Sequence, residues 1–162
     1  MRCKCGLLSV CVVVGVLAVG VVSSSAAVKP QTLSLMEVDT SFAGTGGYNA
    51  TGNAPPSAGQ GITFSGTLYK WAGSKRGAVV GHLLVLCTAT TSDPEALCNA
   101  VASLPSGTID LLGTANLNSG SVKAIGIVGG TGSYVGAQGY LTSKNIGNPN
   151  GGISADLFHL TG

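Results

Sequence analysis

Charge is what this chain has least of: Asp, Glu, Lys and Arg together make up 9% of its 162 residues, against roughly 25% in an average soluble domain. Aromatic residues are also few, at 5%, and there are two histidines and one tryptophan. No segment carries a helical stripe with caps. Each shortage excludes something. Of eight basic residues, Arg2 and Lys4 fall in an apolar leader, so the remainder of the chain balances six basic residues against six acidic ones. A neutral surface of scattered charge lacks the basic face that nucleic-acid binding needs, which removes nucleic acid as a partner. No CxxC spacing occurs and His82 and His159 are far apart, so no metal site is expected, and no cofactor either. The length sets one domain as the ceiling.

Glycine, by contrast, is abundant, with 26 residues, and 44% of the chain is hydrophobic. The N-terminus begins with the positive Arg2 and Lys4. An apolar run from Leu7 to Val22 follows, and then the small residues Ser23-Ser24-Ser25-Ala26-Ala27. This is the layout of a secretory signal peptide over residues 1–27, leaving 28–162 as the domain. The run Gly6–Val22 approaches the ~18–20 residues that span a bilayer, but the small-residue exit reads as a cleavage site rather than an anchor, so no membrane is expected after cleavage. Removing the leader takes Cys3, Cys5 and Cys11 with it, and only Cys87 and Cys98 stay. In an oxidising compartment such a pair is most simply a disulfide, worth on the order of 3 kcal/mol by loop closure. A metal pair or a reactive thiol are the alternatives. The expected location is secreted and extracellular, the apoplast in a plant.

Between the Gly, Ser, Asn and Pro punctuation lie short segments rich in Val, Ile, Leu and Thr, often alternating, which is the pattern of strands. Eight are expected: Thr32–Asp39, Ile62–Tyr69, Ala78–Ala89, Ala96–Leu104, Thr108–Gly113, Val122–Val128, Tyr134–Ser143 and Ile153–Leu160. Eight strands with short turns suit a closed antiparallel barrel or a sandwich, and closure removes exposed edges. A small barrel of this kind is either filled by side chains or holds one small ligand. The longest loop-like stretch, Tyr48–Gly61, contains Asn49-Ala50-Thr51, a glycosylation acceptor in a eukaryotic host.

The tract Gly129-Gly130-Thr131-Gly132-Ser133-Tyr134-Val135-Gly136 invites a dinucleotide-binding reading, but Val135 stands where glycine or alanine is required and no helix follows. Its glycines are read instead as a tight strand connection. Extended to Ala137-Gln138-Gly139, the tract resembles the VVGGTGxFxxARG motif of dirigent proteins and the ITGGxGxxxGAxG motif of allene oxide cyclases, two branches of one barrel superfamily. Ile62-Thr63-Phe64-Ser65-Gly66-Thr67-Leu68-Tyr69 is similar to the FxxxLY strand of that superfamily, and Val80-Gly81-His82 to its VGxxxG turn. Asn49-Ala50-Thr51 with Pro55-Pro56 resembles the loop after the first dirigent strand. The resemblance implies an all-β, eight-stranded, antiparallel up-and-down barrel of the calycin-like, dirigent and allene oxide cyclase type, with an apolar cavity. It also implies a homo-oligomer, a dimer or trimer. Dirigent proteins hold phenoxy radicals supplied by a separate oxidase so that coupling is stereoselective. Allene oxide cyclases steer the ring closure of a fatty-acid epoxide, an isomerase activity without a cofactor. Gln138 stands where the dirigent motif carries Arg, and Ala124 where it carries an acid.

The candidate catalytic residues are Glu37 and Asp39, whose i, i+2 spacing puts both carboxylates on one face of the first strand. Facing inward, they would share an apolar cavity, and burial with mutual repulsion would raise at least one pKa toward neutrality. Facing outward, they are ordinary surface charges. Met36-Glu37-Val38-Asp39 also resembles the cyclase pattern YEIN. Tyr69, Tyr134, Tyr140 and Gln138 are the candidate ligand contacts, while His82, Trp71, Lys75-Arg76 and His159 read as structural or surface residues. The expected function is that of a secreted dirigent-like barrel directing the coupling of an apolar or phenolic small molecule. An allene oxide cyclase-type isomerase is the first alternative, and a non-catalytic barrel the second.

Overall fold

A computed structural model describes residues 28–49, 56–90, 95–116, 121–147 and 152–162. Residues 1–27, where a leader is expected, and residues 50–55 of the Tyr48–Gly61 loop therefore lie outside the described residues; Asn49 itself is exposed. Eight strands follow in order: β1 (Gln31–Thr45), β2 (Gly61–Ala72), β3 (Lys75–Ala89), β4 (Glu95–Leu104), β5 (Gly107–Asn116), β6 (Ser121–Gly130), β7 (Gln138–Asn145) and β8 (Ile153–Thr161). Each pairs antiparallel with its sequence neighbour and β8 returns to β1, so the sheet is a closed up-and-down barrel.

The alternation legible in the sequence is the inside–outside alternation of the barrel wall. On β3, Leu83, Val85, Cys87 and Ala89 are buried while His82, Leu84 and Leu86 are exposed. On β4 the inward positions are Ala96, Cys98, Ala100 and Ala102. Large inward side chains, among them Leu35, Leu68, Ile109, Leu111, Phe158 and Leu160, fill one end of the barrel. The row of alanines and cysteines on β4 has no side chain long enough to reach the axis, so the other end is left hollow. Cys87 and Cys98 sit opposite one another in the β3–β4 register and are joined by a disulfide, with Cα atoms 4.0 Å apart.

Strands β2, β3 and β5 each run three residues beyond an expected end, and two boundaries, those of β1 and β7, differ by more. β1 continues to Thr45 instead of ending at Asp39, because a bulge after Asp39 re-aims the strand and lets Ser41–Thr45 keep pairing with β2. β7 begins at Gln138 rather than Tyr134: residues Gly132–Tyr134 form a single 3₁₀ turn whose Tyr134 is buried. That turn is tied to the β4–β5 hairpin by Ser133 N–H donating to the Ser106 carbonyl (2.8 Å) and by Thr108 N–H donating to the Thr131 hydroxyl (3.0 Å). It folds over the end of the barrel where β5 begins. The glycine tract exists for this closure. Gly132 has φ +59°, and a Cβ there would run into the Ser106 carbonyl; one at Gly130 would strike the Thr108 carbonyl. Gly132→Ala is therefore expected to lower unfolding stability by about 1–3 kcal/mol. Urea denaturation followed by tryptophan fluorescence measures it, and an unchanged midpoint would show that the turn tolerates a side chain.

Candidate functional site

The hollow end of the barrel is a cavity of about 190 Å³. Its walls are apolar, formed by Ile62, Phe64, Leu83, Val85, Ile125 and Leu141 together with the Cys87–Cys98 disulfide. Glu37, Asp156 and Ser143 line it from the adjacent strands β1, β8 and β7, and Asn116 borders it from β5 across the barrel. Since a cavity of roughly 150 Å³ can hold benzene, this one has room for a single ring with a short arm.

Glu37 comes from β1 and Asp156 from β8. The register opposes Glu37 to Ser154 and Leu35 to Asp156, which makes the two acids diagonal neighbours on the inner face. Ser154 lies between them: its hydroxyl donates to Asp156 Oδ1 at 2.9 Å and stands 3.4 Å from Glu37 Oε2. On the β2 side the Glu37 side chain lies across Gly66, where any Cβ would collide with its carboxyl group. Glycine at 66 thus gives Glu37 its position. Asp156 is 0% and Glu37 5% exposed, and Glu37 Oε1 and Asp156 Oδ2 are buried with no hydrogen-bond partner in the protein. Leaving such oxygens unsatisfied is costly.

Burial drives the protonation of both groups. The Glu37 carboxyl is pushed up to about 8, first by desolvation and then by the negative charges of Asp156 and Asp39, with the Ser154 hydroxyl opposing the shift. Asp156 is raised to about 6, again by desolvation, against the hydrogen bonds of Ser143 and Ser154. Near neutrality the pair holds one proton, chiefly on Glu37, so the site presents an acid and a base side by side. Asp39 shares the inward face of Glu37 but stands exposed at the rim, and partial burial raises its carboxyl. The group that shares Glu37's deep burial is Asp156, which the sequence reading passed over. Its signal was present: in Ser154-Ala155-Asp156-Leu157-Phe158-His159-Leu160, Asp156 has the parity of Phe158 and Leu160, the apolar positions that mark the inner face.

The remaining candidates lie apart from the cavity. Tyr69 is half-buried, with the Arg76 guanidinium 5.0 Å above its ring centre. Tyr140 is exposed and stacks on His159 at 4.5 Å, and the Thr32 hydroxyl is 3.3 Å from His159 Nδ1. Gln138 is exposed, and Tyr134 is buried at the closed end. None of these four lines the cavity. Trp71 borders a groove on the outer wall with Ser34 and Leu157.

No protein-family profile and no curated protein matches the chain. Solved structures do. A pyocyanin demethylase is 22% identical with a TM-score of 0.63, the match covering 81% of this chain and 100% of that one. The pterocarpan synthase dirigent protein GePTS1 is 17% identical with a TM-score of 0.61, over 83% of this chain and 87% of the other. The exo-specific intermolecular Diels-Alderase AbnU is 19% identical with a TM-score of 0.62, over 83% and 99%. At these identities the likeness establishes the fold, a dirigent-like barrel.

Because Glu37 and Asp156 bind protons more tightly folded than unfolded, their contribution to stability is complete below their ordinary values of 4.5 and 3.8 and is lost as pH rises through about 6 and then about 8. Stability should fall over that interval by on the order of several kcal/mol. Glu37→Gln should flatten the upper part of the curve and make the protein more stable than the parent above about pH 8. Urea midpoints measured across pH test this; parallel curves for the two proteins would mean that Glu37 is solvated.

Proposed function

We propose that this barrel encloses one small apolar or phenolic molecule and directs its bond formation, with protonated Glu37 as proton donor and Asp156 as acceptor. The observation that carries the reading is a pair of buried carboxyl groups, Glu37 and Asp156, joined through Ser154 on one side of a largely apolar cavity. Such a site works by excluding water, orienting the reacting atoms and moving a proton between two fixed positions. Asp39 at the rim adds negative charge that holds the proton on the pair. The structural neighbours named as dirigent proteins and as a Diels-Alderase support a role in directed bond formation. The cavity volume favours ring closure or isomerisation within one molecule over the meeting of two phenoxy radicals inside one barrel. We further infer export, from the leader and the Cys87–Cys98 disulfide.

Two reactions divide the possibilities. Purified protein is incubated with coniferyl alcohol and a one-electron oxidant, and separately with a freshly generated allene oxide, and the products are resolved by chiral chromatography. An enantiomeric excess in either reaction is expected. Glu37→Gln and Asp156→Asn should each reduce the directed product by about a hundredfold or more. Racemic products in both reactions, or an excess that survives both substitutions, would overturn the assignment.

A further inference from the structure

Acidic groups are scarce in this chain, yet half of those outside the leader converge on one site. Of the six acidic residues, Glu37 and Asp156 line the cavity and Asp39 stands exposed at its rim, close enough to act on both electrostatically, and no lysine, arginine or histidine is among the described side chains that line it. Asp156 and Glu37 are almost wholly buried, and each keeps one oxygen, Oδ2 and Oε1, without a partner in the protein. An apolar pocket that buries acidic oxygens with no internal cation is complementary to a ligand that brings its own positive charge and N–H donors. Phe64 and the disulfide wall supply an apolar surface for a ring.

We propose that the cavity selects a small aromatic or apolar amine, its ring against Phe64 and its ammonium group donating to the free oxygens of Glu37 and Asp156. The inference rests on the cavity being the ligand site, as the preceding section holds, and adds the ligand's charge. A neutral amine entering the pocket takes the Glu37 proton and becomes ammonium facing two carboxylates. An amine already protonated displaces that proton to solvent. Either way no co-reactant is required. The charged groups facing Glu37 are Asp156 from β8 and Asp39 from its own strand; opposite it on β2 stand Gly66 and Leu68, which carry none. For a ligand that arrives as ammonium, binding near neutral pH therefore releases protons, and affinity strengthens as pH rises toward the range where Glu37 ionises.

Benzylamine and its neutral counterpart benzyl alcohol are the probes, titrated calorimetrically at neutral pH into the purified protein in phosphate and in Tris. Benzylamine should bind about tenfold or more tightly than the alcohol, and its apparent enthalpy should differ between the buffers because protons are released. Glu37→Gln combined with Asp156→Asn should abolish that preference, the two probes then binding with similar affinity. Glu37→Gln alone, a milder change at the less enclosed residue, should remove the proton release and most of the preference. Equal or tighter binding of benzyl alcohol, or a preference for the amine that survives the substitutions, overturns the charge selection while leaving the cavity as a ligand site. Uptake of neither probe overturns both readings.

Discussion

Closure of the sheet is the constraint from which the site descends. Once eight strands join edge to edge, every second residue must face the axis, whatever its chemistry. Most inward positions are filled by apolar side chains, as the hydrophobic effect requires. At Glu37 and Asp156 the same geometry forces carboxyl groups into the interior. Their surroundings penalise the ionised forms, and Ser154 and Ser143 relieve the penalty for Asp156 more than for Glu37. The unequal relief divides one proton between two otherwise similar groups. A topological rule thus ends as an acid beside a base.

The two ends of the barrel complement one another. At one end the glycine-rich turn brings Tyr134 and Ala137 down onto the core with Ile109 and Leu160, and the interior is solid. At the other, the short side chains of β4 and the disulfide leave the axis open. A filled end gives the wall rigidity, which holds the hollow end open and fixes the spacing of the acidic pair.

Much of this was legible in the amino-acid order. The alternation of Leu83, Val85 and Cys87 with His82, Leu84 and Leu86 reads directly as a half-buried wall, and the spacing of eight such segments reads as a closed sheet. Glu37 was legible because the i, i+2 relation to Asp39 is local. Asp156 was harder to see, since its partnership with Glu37 depends on β8 returning to β1, a contact between residues more than a hundred positions apart. Period-two alternation marked Tyr134 as a strand residue, but the glycines around it, free to take positive φ, bend the chain into a turn first. Aromatic residues suggested ligand contacts by their chemistry alone, whereas strand parity sends Tyr140 to the outer surface, where it stacks on His159.

The alanines of β4 have one more implication. Ala100 faces the hollow with only a methyl group, on a strand whose hydrogen bonds are made by its backbone and are indifferent to the side chain. Lengthening that residue subtracts space from the chamber without disturbing the ladder that holds the wall together. The fold consequently separates the dimension of its guest from the integrity of its shell, and a lineage of such proteins is free to change what it admits one methylene at a time.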